Sequence, residues 1–216
     1  MAELRRFRGS LLGLATGDAL GTTVEFKPRG TFGPLVTIVG GGPFRLKAGQ
    51  WTDDTSMALC LATSLVESGG FDHADQMERY LRWYESGYLS STGTCFDVGT
   101  TVRSALKRYK RSGDPYSGST DPQSAGNGSV MRLAPVPIYF FPNRDLCLHF
   151  AAESSRTTHG TAECLDACRL FADILYRAFE GAEKEGVLFG SDTSLFESSS
   201  IQAIATGSYR QKEVGS

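Results

Sequence analysis

Apolar residues in this 216-residue chain recur at three- and four-residue spacing, and no segment alternates apolar with polar strongly enough to require a sheet. That periodicity predicts an all-α chain. Leu4, Phe7, Leu11 and Leu14 form a first helical stripe. A second helix carries Met57, Ala58, Leu61, Ala62, Leu65 and Val66 and stops at Ser68-Gly69-Gly70. Asp72 is placed to cap a third, with Met77, Tyr80, Leu81 and Tyr84 inward and Gly87 as its stop. A fourth starts near Thr100, carries Val102, Ala105, Leu106 and Tyr109, and ends before Gly113. Asn143 is a cap for a helix with Leu146 and Phe150, and another follows His159 with Ala162, Leu165, Ala172, Leu175 and Phe179 inward. Gly181, Gly186 and Gly190 then break the chain before a last helix around Ser194–Thr206. The expected fold is a compact single-domain helical bundle over residues 1–216, with loops at Thr22–Gly49 and 112–125.

A second register lies on the first stripe. Gly9, Gly13, Gly17 and Gly21 recur every four residues, although each glycine costs a helix ~1 kcal/mol relative to alanine. The row predicts close approach by another backbone. The charge balance, 22 Lys+Arg against 24 Asp+Glu, argues against a nucleic-acid-coating protein or a polybasic membrane binder. No apolar run approaches the ~18 residues of a membrane span, and Met1–Arg6 has no signal-peptide core, so a cytoplasmic location is expected. Five cysteines without a CxxC pair fit reduced thiols there.

The sharpest chemical feature is Thr52-Asp53-Asp54-Thr55-Ser56 at a helix start. Such residues cap free N–H groups and favour the positive end of the dipole. Five in a row exceed what capping uses, so elaborate capping and a hard-oxygen site for Mg²⁺, Mn²⁺ or Ca²⁺ both stand as readings. Glu25, between Val24 and Phe26, is either a surface loop acid or a partly desolvated one with a raised pKa suited to acid–base work. Ser124-Ala125-Gly126-Asn127-Gly128-Ser129 is either an amide-rich turn for an anion or a tight turn whose glycines supply φ > 0. Asp97-Val98-Gly99-Thr100-Thr101 reads as a structural cap, and His159 as a packing or capping residue. The run Gly40-Gly41-Gly42 lacks the GxxxxGK[ST] pattern of a phosphate loop and does not open a helix.

Taken in order, Gly9–Gly21 with Glu25, Trp51–Thr55, Asp97–Thr101, Gly126–Arg132 and Thr158-His159 resemble the ADP-ribosylglycohydrolase family, from about Arg6 to Gly207. The resemblance implies a metal-dependent hydrolase that removes ADP-ribose from a modified acceptor, by cleaving an N- or O-glycosidic bond at the ribose anomeric carbon. It implies that Thr52, Asp53 and Asp54 hold one side of a dinuclear Mg²⁺ or Mn²⁺ centre. Glu25, Asp53 and Asp54 would be catalytic; Ser124, Ala125, Gly126, Asn127, Gly128 and Ser129 would bind ribose and phosphates through backbone amides; His159 would bind near the ribose. The implied partner is an ADP-ribosylated protein or a small ADP-ribose conjugate, with no nucleic acid or membrane involved.

The family's second metal motif, Asp-x-Asp-Thr, is absent, and Asp192-Thr193 is its nearest look-alike. The resemblance therefore implies a domain cut short at its C-terminal end, lacking helices and the second set of metal ligands. Self-association through exposed core would follow. The alternative it leaves is a non-catalytic member that binds ADP-ribose or serves a structural role.

Overall fold

The computed structural model describes residues 2–211. Nine α-helices and four 3-10 turns account for the regular structure among them, and only isolated bridges pair strand-like backbone. The helices are α1 (Ala2–Gly21), α2 (Asp53–Glu67), α3 (His73–Ser86), α4 (Thr100–Ser112), α5 (Pro135–Phe140), α6 (Arg144–Arg156), α7 (Ala162–Glu180), α8 (Lys184–Phe189) and α9 (Ser199–Ala205). None is long and apolar enough to cross a membrane.

Local chemistry sets most boundaries. The Asp72 carboxylate accepts from the amides of Ala74 and Asp75, and Gly87 ends α3 in the left-handed region at φ 68. Asn143 caps α6 through Leu146 N, and Gly113 and Gly181 stop α4 and α7. The main core joins α2, α3, α4 and α7 around Met57, Leu61, Leu65, Tyr80, Trp83 and Leu106. α6 lies along α7, and α1 packs on α2 and α7 with Phe7 edge-on to Phe141 and Phe179. All five cysteines are free thiols.

Four details depart from expectation. The glycine row of α1 meets no other backbone: a Cβ on Gly9, Gly13, Gly17 or Gly21 would find nothing within 4 Å among the described residues. The helix docks through Phe7 and the buried Ala19, which turns the glycine face and Leu12 (63% exposed) outward. Pro135 and Pro137 open a short helix, α5, as prolines can in a first turn whose N–H groups have no helical partner. Gly186 lies inside α8 instead of breaking the chain, its carbonyl accepting from Arg177 Nη1 at 2.8 Å. The final helix is confined to Ser199–Ala205, with Thr193–Leu195 in a 3-10 turn.

The 22–49 loop folds back on the site. Gly42, at φ +66, lies so close to Thr22 that a Cβ would come within 2.2 Å of its carbonyl oxygen. Gly42 is thus required for loop closure.

Candidate active site

The site begins at the first turn of α2. Thr52 is extended and does not cap the helix with its own hydroxyl. The cap comes instead from Asp18 on α1. Its carboxylate accepts from Thr52 N at 2.9 Å, Thr52 Oγ1 at 2.8 Å, Thr55 N at 3.1 Å and Thr55 Oγ1 at 2.7 Å. One remote acid therefore binds the amides of Thr52 and Thr55 at the opening of α2. Thr52 Oγ1 also lies 3.2 Å from Asp54 Oδ2.

Asp53 and Asp54 project from this fixed turn into a strongly acidic environment. Burial raises the Asp53 pKa, and Asp54 and Asp97 raise it further. Burial, then the charge of Asp18, raises that of Asp54. Glu25 is raised by partial desolvation and by Asp54 and Asp18, which supports the desolvated-acid reading over a free surface carboxylate. Asp97 is pushed up to about 7 by burial first, then by Glu25, Asp54 and Asp18. Sequence reasoning assigned no chemistry to Asp18 or Asp97. Asp97 does carry a local mark in the structure, a left-handed backbone at φ 57.

A cavity of about 350 Å³ collects Glu25, Asp53, Asp54 and Asp97 on one side and Gly126, Asn127, Gly128 and His159 on another, with the α4 N-terminus at Gly99–Thr101 between them. Among the described residues, no lysine or arginine lines it. A neighbouring hollow on the far side of Asp54 brings in Asp18, Thr22, Glu25 and Thr52. The Thr22 hydroxyl there is buried without a hydrogen-bond partner among the described residues. A larger hollow at Arg108, Arg111 and Tyr116 has no comparable group of acids.

The remaining predicted residues divide around the cavity. Ser124 and Ala125 lead into the turn, and the Ser124 carbonyl accepts from Thr101 Oγ1 at 3.2 Å. Ser129 leaves it for the core, where its hydroxyl meets Ser155 Oγ at 2.8 Å and Cys168 Sγ at 3.5 Å. Gly126 and Gly128 are not left-handed, so φ > 0 is not what they provide. They make room: a Cβ on Gly128 would stand 2.8 Å from His159 Cε1 and 3.0 Å from Val102 Cγ2. His159 is the buried floor beneath this turn, its pKa driven down to about 3 by burial and then by Arg132. Asp192 is a cap, accepting from Ser194 N at 2.9 Å, and lies outside the acidic group. Among the described residues, no three His, Cys, Asp or Glu side chains are grouped to cage a metal ion.

The ADP-ribosylglycohydrolase family model matches residues 1–211. An ADP-ribosylarginine hydrolase, Tri1, of Pseudomonas putida (strain GB-1) is 46% identical over 209 residues, covering 97% of this chain and 56% of that protein. An ADP-ribosyl-[dinitrogen reductase] glycohydrolase of Rhodospirillum rubrum is 42% identical over 181 residues, covering 79% of this chain and 58% of the relative. The chain thus spans about half the length of these curated relatives. A solved structure titled an ADP-ribosylglycohydrolase-related protein complex superposes with a TM-score of 0.76 at 48% identity, covering 87% of this chain and 60% of that one. Helical architecture, motif order and family model agree, and the chain belongs to the ADP-ribosylglycohydrolase family.

Proposed function

We propose that this chain carries the acidic and glycine-turn walls of a hydrolase that removes ADP-ribose from a modified protein or small conjugate, by cleaving the glycosidic bond at the ribose anomeric carbon. The observation that carries the reading is the opposition within one cavity: carboxylates on one side, bare amides and a helix N-terminus on another. Such a cavity suits a ligand that is cation-associated at one end and phosphorylated at the other.

The acids fit a hydrated divalent cation better than a caged one. Mg²⁺ commonly keeps several waters and takes only one or two protein carboxylates. Thr52, Asp53 and Asp54 would hold it, and the unpartnered Thr22 hydroxyl beside Asp54 is a polar atom that a bound cation's water would satisfy. Bound there, Mg²⁺ or Mn²⁺ would order the ribose hydroxyls and the attacking water. Glu25, with its raised proton affinity, would orient that water and take its proton at a carboxylate oxygen. The amides of Gly126, Asn127 and Gly128 and the start of α4 would hold the phosphates, while positive charge develops at the anomeric carbon facing the acids.

The test is release of free ADP-ribose from an arginine-modified protein with Mg²⁺ or Mn²⁺. Wild type should turn over, and Asp53→Ala and Asp54→Ala should not. No turnover by wild type with either metal would overturn catalysis by this chain. A second reading, an ADP-ribose binder without turnover, is favoured by the missing three-ligand group among the described residues. Calorimetry with ADP-ribose separates the two.

A further inference from the structure

Arg132 is fully buried, with no carboxylate in ion-pair contact among the described residues. Burying a guanidinium is costly, and an apolar residue of similar size is often as stable. Its placement therefore asks for a reason. The guanidinium lies 4.4 Å over the Tyr80 ring, and its Nη2 donates to Ser154 O at 3.2 Å, Thr157 Oγ1 at 3.2 Å and Thr158 Oγ1 at 2.8 Å. Thr158 Oγ1 in turn lies 2.9 Å from His159 Nδ1.

A hydroxyl has one hydrogen to give and two lone pairs to offer. Arg132 can only donate, so it occupies a lone pair of Thr158. The hydroxyl hydrogen then needs an acceptor, and among the described residues its one other partner is His159 Nδ1. If Nδ1 carried a proton, the Thr158 oxygen would face two donors while its own buried hydrogen went unpaired, a loss of about 1–3 kcal/mol. We propose that Arg132 is a positioning residue which, through Thr158, holds His159 as the Nε2–H tautomer, so that the imidazole offers a hydrogen-bond donor to an oxygen of the ligand beneath the Gly126–Gly128 turn. Nε2 is on the correct side: it stands 3.6 Å from where a Cβ on Gly126 would lie and 3.3 Å from one on Gly128. The low proton affinity of His159 keeps the ring neutral, so the donor persists across the range where free histidine titrates. The tautomer follows from the hydrogen-bond geometry alone; the ligand oxygen rests on the ADP-ribose reading.

The experiment uses the whole chain with ring-¹⁵N histidine. Two-bond proton–nitrogen correlation reports which nitrogen of each of the three histidines is protonated, and His159→Gln identifies the resonance in question. The expected result is a pyridine-type Nδ1 and a pyrrole-type Nε2 for His159, unchanged between roughly pH 5 and 8. Thr158→Val should mix the tautomers and weaken ADP-ribose binding about tenfold, as expected for one lost hydrogen bond. Thr158→Ser should restore both. Arg132→Met should also mix the tautomers, and if it does not fold the Thr158 pair decides. A protonated Nδ1 in wild type, or an unchanged tautomer in Thr158→Val, overturns the positioning role. The expected tautomer in a chain with no affinity for ADP-ribose would overturn only the ligand assignment, together with the reading it rests on.

Discussion

The first turn of α2 depends on Asp18, and its removal gives a worked test. Two backbone amides and two hydroxyls, from the buried Thr52 and Thr55, converge on this one carboxylate at 2.7 to 3.1 Å. A hydrogen bond to a charged group contributes about 1.5–3 kcal/mol, and loss of a helix cap costs about 0.5–2 kcal/mol. Asp18 is only half-buried and borders a hollow, so in Asp18→Ala water can reach some of the freed donors. That places the net loss near 3 kcal/mol, or roughly 6–12 °C in Tm for a chain of this size. The charge of Asp18 also opposes ionisation of Asp54, Glu25 and Asp97. Its removal relieves a repulsion that exists only once those acids ionise, so the Tm loss should be larger near about pH 5 than near about pH 8. Asp18→Asn should still lose about half as much, because its NH₂ would face donors. The measurement is thermal unfolding by circular dichroism at both pH values. A loss below about 2 °C for Asp18→Ala, or an Asp18→Asn protein as stable as wild type, refutes the cap.

Three further outcomes follow from the same geometry. Asp97 has a folded pKa of about 7, above its ordinary value, so its contribution opposes folding as pH rises through that interval; Asp97→Asn should raise the Tm above pH 7 and leave it nearly unchanged near about pH 4, and equal shifts at both would contradict the assignment. Gly128→Ala forces a methyl against His159 and Val102, and should cost about 1–3 kcal/mol in denaturant unfolding, with a wild-type midpoint as the contrary result. Gly13→Ala meets open space on a helix, and should gain up to ~1 kcal/mol, or about 2–4 °C, whereas a loss would mean that something packs on that face in solution.

Helical periodicity made the main bundle legible, because a helix needs only its own sequence to display an apolar stripe, and Asp72, Gly87, Gly113 and Asn143 mark ends through contacts within a few residues. α5 and α8 were not legible for the converse reason. Two prolines read as helix breakers unless they fall in a first turn, as they do in α5, and the internal glycine of α8 is held by the Arg177 bond to its carbonyl. The site divides in the same way. Thr52–Ser56 shows an excess of capping residues, but the residue that caps is Asp18, 34 positions earlier. Asp166 fixes the entry to the last helix from a similar distance, accepting from the amides of Glu197 and Ser198 just ahead of it at 2.7 and 2.8 Å. No local pattern reveals a cap supplied from another helix.

That substitution of a remote acid for a local threonine as the cap changes the arithmetic of the motif. If Thr52 capped its own helix, one of the five polar residues would be spent on structure. With Asp18 satisfying Thr52 and Thr55, the cap does not draw on the Asp53 and Asp54 side chains, whose proton affinities are raised first by burial and then by the neighbouring carboxylates. The glycines are governed by a similar ambiguity. A sequence shows that a Cβ is absent but not which atom forbids it. In α1 nothing among the described residues does, whereas at Gly128 the His159 ring does. The distinction is physical: relief of left-handed strain by Asn would rescue a turn glycine, but at position 128 any side chain meets the same ring, so Gly128→Asn should be no milder than Gly128→Ala.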